Sequence, residues 1–269
     1  MSQARATPRA PHAAPPGMAG KLALTTLVVL SLFLLSLIVA LVRLAASDAG
    51  RPAAFSLASL LLTSLAAALA ATALALAFGV PAALWLARHR FPGRTLLTTL
   101  LDLPTMLSPV AVGTALVLFL RDPPGAWLEG AGGFLFGFPG VVLAQFTVIV
   151  ALVVRSAEAA FTDVDTRLER LAELHGATRR QVLTRITLPL ARPGLLAAAV
   201  LAFARALGEF GATVTVAGTI PGRTETLSTG IFLALESGEL AGAARLSLIL
   251  VVVAGAMLLL LRKVVGWRR

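Results

Sequence analysis

The sequence predicts an all-α integral membrane protein with six transmembrane helices, and three observations carry that expectation. Its 269 residues are 58% hydrophobic and 13% charged, with a mean hydropathy of +0.89, whereas soluble domains carry about 25% charged residues. Six apolar runs are long enough to span a bilayer, which takes about 20 residues of helix. Sixteen of the 23 lysines and arginines fall where a six-span topology puts one face, four fall on the other face and three within spans. Such an excess of cations marks the cytoplasmic side. The net charge of +10 therefore reports topology and not a nucleic-acid partner, because the arginines flank apolar runs. With no cysteine, disulfides, thiolate metal sites and cysteine nucleophiles are excluded. The three histidines are too far apart in sequence to suggest a metal cluster.

Residues 1–20, rich in Ala, Pro and Arg, are expected to form a disordered cytoplasmic tail. The first span, 22–42, belongs to a unit of helix and external linker over 21–52. A signal-peptide core is usually about 7–15 apolar residues, so a retained helix is favoured over a signal cleaved near Ala45–Ser47. The main transmembrane unit then covers 53–265, followed by a short tail at 266–269. Its first span is 60–86, with Gly79 and Pro81 expected to bend it, and 88–94 is a short basic loop. The next span, 96–120, is interrupted by Pro104 and Pro109. Prolines at membrane depth are tolerated where neighbours or water satisfy the freed backbone, so this helix is a candidate for lining a path. An external loop over 121–139 leads to a span at 141–160. A span at 195–218 carries Arg205 and Glu209. The run 227–235 is too short to cross and reads as an interfacial or packed external helix. The last span is 241–261. Six spans put both termini in the cytoplasm.

Between the fourth and fifth spans lies the one long polar interval, 163–194. Thr166 and Glu169 have capping-box spacing, so a helix is expected to start at Arg167. Leu168, Leu171, Ala172 and His175 make one apolar face. Gly176 supplies the stop. Thr178 caps a second helix that should run to about Thr187, because Pro189 cannot continue an ordinary helix. Arg167, Arg170, Arg179, Arg180, Arg185 and Arg192 charge this elbow, a shape suited to a soluble partner.

The elbow resembles the "EAA" loop of ABC-importer permeases. The match comprises Glu169, Ala172 and Gly176 with Ala177 beside it. After nine residues from the glycine come Ile186, Leu188 and Pro189. Leu171 stands where the pattern has its first alanine. The stretches LAFARALGEFGATVTVAG (201–218) and IPGRTETL (220–227) are similar to permeases of molybdate or tungstate importers, with sulfate permeases as close relatives. The resemblance implies a type I permease fold whose elbow is a coupling helix seated on a cytoplasmic ATPase. It also implies a homodimer, two ATPase subunits and an external binding protein. The substrate would be molybdate or tungstate, with sulfate, thiosulfate or another small substrate as the alternative. No G-x-x-x-x-G-K-[ST] occurs, so this chain is expected to bind no cofactor, with ATP and Mg held by the partner ATPase.

Ionisable residues at membrane depth are costly and usually face protein, water or a partner charge. Arg205 and Glu209, at i and i+4, neutralise each other or gate the path; an oxyanion-ligand role for Arg205 is the weaker reading, because a path must release what it binds. Gly208, Gly211 and Gly218 allow close helix approach. Thr213 and Thr215 either pack or present hydroxyls to a passing anion. Asp102, Arg155 and Arg245 snorkel or pair. The pathway candidates are thus Pro104, Pro109, Arg205, Glu209, Gly211 and Thr213. No HExxH or GxSxG motif occurs, which argues against a membrane hydrolase. No internal repeat suggests an ion-coupled carrier.

Overall fold

The computed structural model describes residues 18–46 and 56–266, and among these every regular element is helical. The long elements are α1 (Met18–Ala46), α2 (Leu57–Arg88), α6 (Phe138–Thr162), α9 (Leu188–Leu207) and α12 (Leu240–Gly266). Between them lie α3 (Arg94–Met106), α4 (Pro109–Arg121), α5 (Gly125–Gly132), α7 (Thr166–Leu174), α8 (Arg179–Val182), α10 (Gly211–Ala217) and α11 (Leu227–Glu236). By length and composition five helical stretches can cross a membrane, and the bent pair α3–α4 makes a sixth when counted as one broken span. The expected tail lies outside the described residues up to 17, and α1 takes its last three. The linker at 47–55 and the end at 267–269 also lie outside.

The centre is the α2–α6 pair. Ala67, Ala71, Ala75, Gly79 and Ala83 recur at every fourth residue of α2, and all are buried. In lipid, apolar side chains gain nothing by leaving the solvent, so helices associate where small residues let backbones approach. A Cβ added to Gly79 would stand 2.9 Å from Val153 Cγ1 of α6. Gly79 is therefore a point of close contact, and α2 continues unbroken through Pro81. Ala202 and Ala206 of α9 complete this core. By contrast, α1 buries none of its apolar length and lies along α12.

Three sequence expectations need correction. The single span at 96–120 is two helices bent by 112°. Pro109 takes the first turn of α4, and the Ser108 hydroxyl accepts from Ala111 N at 3.2 Å, so a capped helix starts where one span was expected to continue. The span at 195–218 likewise breaks after Leu207 and resumes as α10. Conversely, Pro189 does not end the second elbow helix. A π turn, Leu183–Thr187, joins α8 to α9 through Leu188 N donating to Leu183 O. The wider turn gives room to a proline ring that would clash within an α turn. The stretch Arg179–Leu207 is one helical rod, half elbow and half span.

Outside the spans, the 121–139 loop holds α5, and the Glu129 carboxylate there accepts from Phe134 N and Leu135 N at 2.8 and 2.9 Å. The short helix α11 packs as expected. Leu227 N at its start donates to Ser64 Oγ of α2 at 2.7 Å, and Leu60, Leu227 and Leu246 form one cluster.

Candidate functional site

The elbow is assembled from local signals. Asp165, not Thr166, caps α7, its carboxylate accepting from Arg167 N at 2.8 Å. The expected capping box at Thr166 and Glu169 does not form, because Glu169 is engaged elsewhere. Gly176 has φ +86°, the left-handed conformation that glycine adopts most cheaply, and Ala177 N reaches back to Ala172 O at 3.0 Å to close the end of the helix. Thr178 caps α8 with Gln181 in a capping box. The result is two helices at a glycine corner, as the sequence indicates. The apolar ridge of α7 is uncovered, with Leu168 at 46%, Leu171 at 52% and Leu174 at 82% exposure. Ile186 and Leu188 are half-buried, and Pro189 is exposed.

Glu169 points the other way. Its Oε1 accepts from Arg88 Nη2 at the end of α2 and from Thr187 Oγ1 at the end of the π turn, both at 2.7 Å. Arg88 Nη1 also donates to Phe161 O, near the end of α6, at 3.0 Å. Thr187 is buried. A cleft of about 690 Å³ opens beside this junction, lined by Trp85, Arg88, Glu169, Arg170, Arg179 and Thr187 among others. Sequence reasoning counted Arg88 only as a loop charge and did not single out Thr187. Separations of 81 and 18 residues leave no periodic signal.

A second set of ion pairs ties α3 to α6. Arg155 donates from Nε to Asp102 Oδ1 at 3.0 Å and from Nη2 to Asp102 Oδ2. Its Nη1 reaches Glu158 Oε2 at 3.2 Å, and Arg94 Nη2 reaches Glu158 Oε1 at 2.6 Å. Asp102 and Arg155 thus pair with each other, one of the two outcomes expected of them. Arg245 Nε donates to Ala241 O on its own helix at 3.4 Å.

The two helix breaks meet. A Cβ on Gly211, the first residue of α10, would lie 2.8 Å from Pro109 Cβ at the start of α4. One on Gly113 would lie 2.7 Å from Thr215 Cβ and 2.9 Å from Ala212 Cα. The pathway candidates Pro109 and Gly211 are thus in contact, and Gly113, not singled out from the sequence, is part of the same seam. Pro104 lies inside α3, away from the break itself. Arg205 Nη1 donates to Glu209 Oε2 at 2.6 Å. The pair does not lie along one helix face: Glu209 sits beyond the end of α9, and its Oε1 accepts from Ala212 N of α10 at 3.1 Å. Thr213 is fully buried and its Oγ1 has no hydrogen-bond partner, while Thr215 Oγ1 donates back to Gly211 O. A Cβ on Gly208 would make only ordinary contacts, the nearest with Ala204 O at 3.7 Å, and Gly218 has φ +64°.

Outside the spans, the Glu225 carboxyl in the loop between α10 and α11 is buried, its Oε1 has no partner, and burial pushes its pKa up. Among the described residues no cluster of His, Asp or Glu could hold a metal ion.

Comparison with known proteins places this geometry. Residues 79–267 match the family described as "Binding-protein-dependent transport system inner membrane component". The molybdenum transport system permease protein ModB of Escherichia coli (strain K12) is 41% identical over 204 residues, covering 74% of this chain and 89% of ModB. The sulfate transport system permease protein CysW of the same strain is 37% identical over 208 residues, covering 75% and 70%. A crystal structure of a bacterial alginate ABC transporter, in complex with an alginate pentasaccharide-bound periplasmic protein, superposes with a TM-score of 0.66 at 22% identity, over 91% of this chain and 94% of that one. The likeness to that structure shows a shared fold. The chain belongs to the family of binding-protein-dependent transport system inner membrane components, the multi-pass permease subunits of ABC transporters, with the all-helical type I fold and molybdenum permeases as close homologues.

Proposed function

We propose that the chain is the permease subunit of an ATP-driven importer that moves molybdate or tungstate into the cytoplasm by alternating access. Two copies enclose the path, two ATPase subunits dock on the elbows, and an external binding protein delivers the anion. Both termini lie in the cytoplasm. The observation that carries this reading is the uncovered ridge Leu168, Leu171 and Leu174 on a basic elbow. Three leucines left open to solvent on a polar segment mark a surface made for a partner. With no phosphate-binding loop in this chain, that partner supplies ATP hydrolysis, and ATP and Mg are its ligands. The identity to molybdenum permeases supports the oxyanion class. The relation to CysW favours sulfate as the second reading. In either case the binding protein supplies most of the discrimination among tetrahedral dianions. The seam of Pro109, Gly211 and the Arg205–Glu209 pair belongs to the moving part of the path.

The test is co-purification of the tagged chain with its candidate ATPase and binding protein, with ATP hydrolysis read in vesicles against molybdate, tungstate and sulfate. Stimulation by molybdate or tungstate alone supports the first reading, and stimulation by sulfate supports the second. A chain that associates with no ATPase, or that moves substrate under an ion gradient without one, refutes both.

A further inference from the structure

The elbow presents opposite faces to different neighbours. Its leucine ridge is open, whereas Glu169 is turned back into the membrane domain and sequestered, its side chain 16% exposed and that of Arg88 18%. One carboxylate oxygen receives both Arg88 Nη2 and Thr187 Oγ1, and the same guanidinium holds Phe161 O. The inner ends of α2, α6 and the α8–α9 rod therefore converge on one side chain of α7. The π turn contributes directly: it carries Thr187, whose hydroxyl faces Glu169, and such turns are frequent at functional sites. Few other links hold the corner. Gly176 has nothing within 4 Å of its would-be Cβ, and α7 itself buries no residue.

We propose that Glu169 is a positioning residue of the transport cycle: through Arg88 and Thr187 it transmits displacement of the elbow to α2, α6 and α9, and it is not a contact for the ATPase. The inference rests on the transporter reading above and assigns one step of it. With the junction intact, α7 is a rigid extension of three spans, so a push on the leucine ridge moves their inner ends together. With the junction broken, the elbow swivels at Gly176 and the ATPase works without moving the spans.

The experiment has two arms. In the first, amide hydrogen exchange is measured on the purified permease alone, for the unsubstituted chain and for Glu169→Gln, Glu169→Leu, Arg88→Met and Thr187→Val. Exchange over 166–176 is expected to rise about tenfold in Glu169→Leu and in Arg88→Met, with no further rise in the double variant, because interacting residues are not additive. Glu169→Gln keeps an acceptor for Thr187 and should fall between. In the second arm the complete transporter is reconstituted in vesicles, and uptake is divided by ATP hydrolysed. That ratio is expected to fall about tenfold in the same variants, while the ATPase still co-purifies and basal hydrolysis is retained. Loss of ATPase association in Glu169→Leu but not in Arg88→Met would make Glu169 a docking contact and overturn the proposal. An unchanged ratio, an unchanged exchange rate, or effects that multiply in the double variant would also overturn it. If the unsubstituted chain shows no ATP-driven uptake, the transporter reading itself falls; if it transports normally and only the variants behave otherwise than expected, the junction alone is refuted.

Discussion

Arg205 donates to Glu209 across a helix break, and the two ends of that pair are unequally sheltered: the arginine side chain is 42% exposed and the glutamate 1%. Glu209 also accepts from Ala212 N. It serves as a counter-ion on one side and a helix cap on the other, whereas Arg205 has only the first task within this chain's described contacts.

An asymmetric mutational outcome follows. Glu209→Leu orphans a buried amide as well as a cation, and should lower stability by about 1–3 kcal/mol, with Arg205→Met milder. If neutralisation were the whole role, the double variant Arg205→Met with Glu209→Leu would be nearly silent. The orphaned Ala212 N–H predicts that it recovers only part of the loss, and that Arg205→Met with Glu209→Gln recovers more. Thermal unfolding of the detergent-solubilised variants decides; a silent Leu–Met double variant would show that the cap contributes nothing.

Gly176 tests the elbow corner. Its φ of +86° cannot be adopted by proline, which holds φ near −65°. Gly176→Pro should insert in the membrane at normal levels yet abolish stimulated ATP hydrolysis. Gly176→Ala meets no neighbour and faces only the left-handed strain of about 1–2 kcal/mol, so it should retain most activity. Paired measurements of membrane level and stimulated hydrolysis check this. Full activity in the proline variant would show that the corner's geometry is dispensable.

The α4–α10 seam tolerates no added bulk. Gly113→Ala would bring its Cβ within 2.7 Å of Thr215 Cβ and 2.9 Å of the Ala212 backbone. Overpacking of this kind costs about 1–3 kcal/mol, more where the obstacle is backbone. Gly208→Ala, whose Cβ would come no nearer than 3.7 Å to a neighbour, is the matched control. Loss of thermal stability confined to Gly113→Ala is the expected result, and equal behaviour of the two variants would contradict the close approach.

Glu225 predicts a pH dependence outside the spans. Burial raises the pKa of its carboxyl above the ordinary value of 4.5, so the folded state binds its proton more tightly than the unfolded one does. By linkage the group favours folding most below pH 4.5 and loses that contribution as pH rises through its folded pKa. Glu225→Gln should therefore be more stable than the unsubstituted protein at neutral pH, by about 1 kcal/mol given one unsatisfied buried oxygen. The difference should vanish in acid. Unfolding curves of both proteins across pH 4 to 8 test this; a constant offset would remove the titration from the account.

Composition and charge order were enough for the class, for five to six membrane-spanning stretches and for the elbow, since all of these depend on summed properties of long segments. The glycine stop at Gly176 and the Thr178 cap were legible because their bonds close within five residues. Three things were decided only by the tertiary structure. Pro109 and Pro189 carry the same local message, yet one starts a new helix at a 112° bend and the other is absorbed in a π turn, a choice made by what each segment packs against. The partners of Glu169 lie 81 and 18 residues away, beyond any helical period. The four-residue spacing of Arg205 and Glu209 was visible, but not the helix break between them. Folding places that break where Gly211 must meet Pro109, because in a bilayer backbone groups freed at a break have to find partners within the protein.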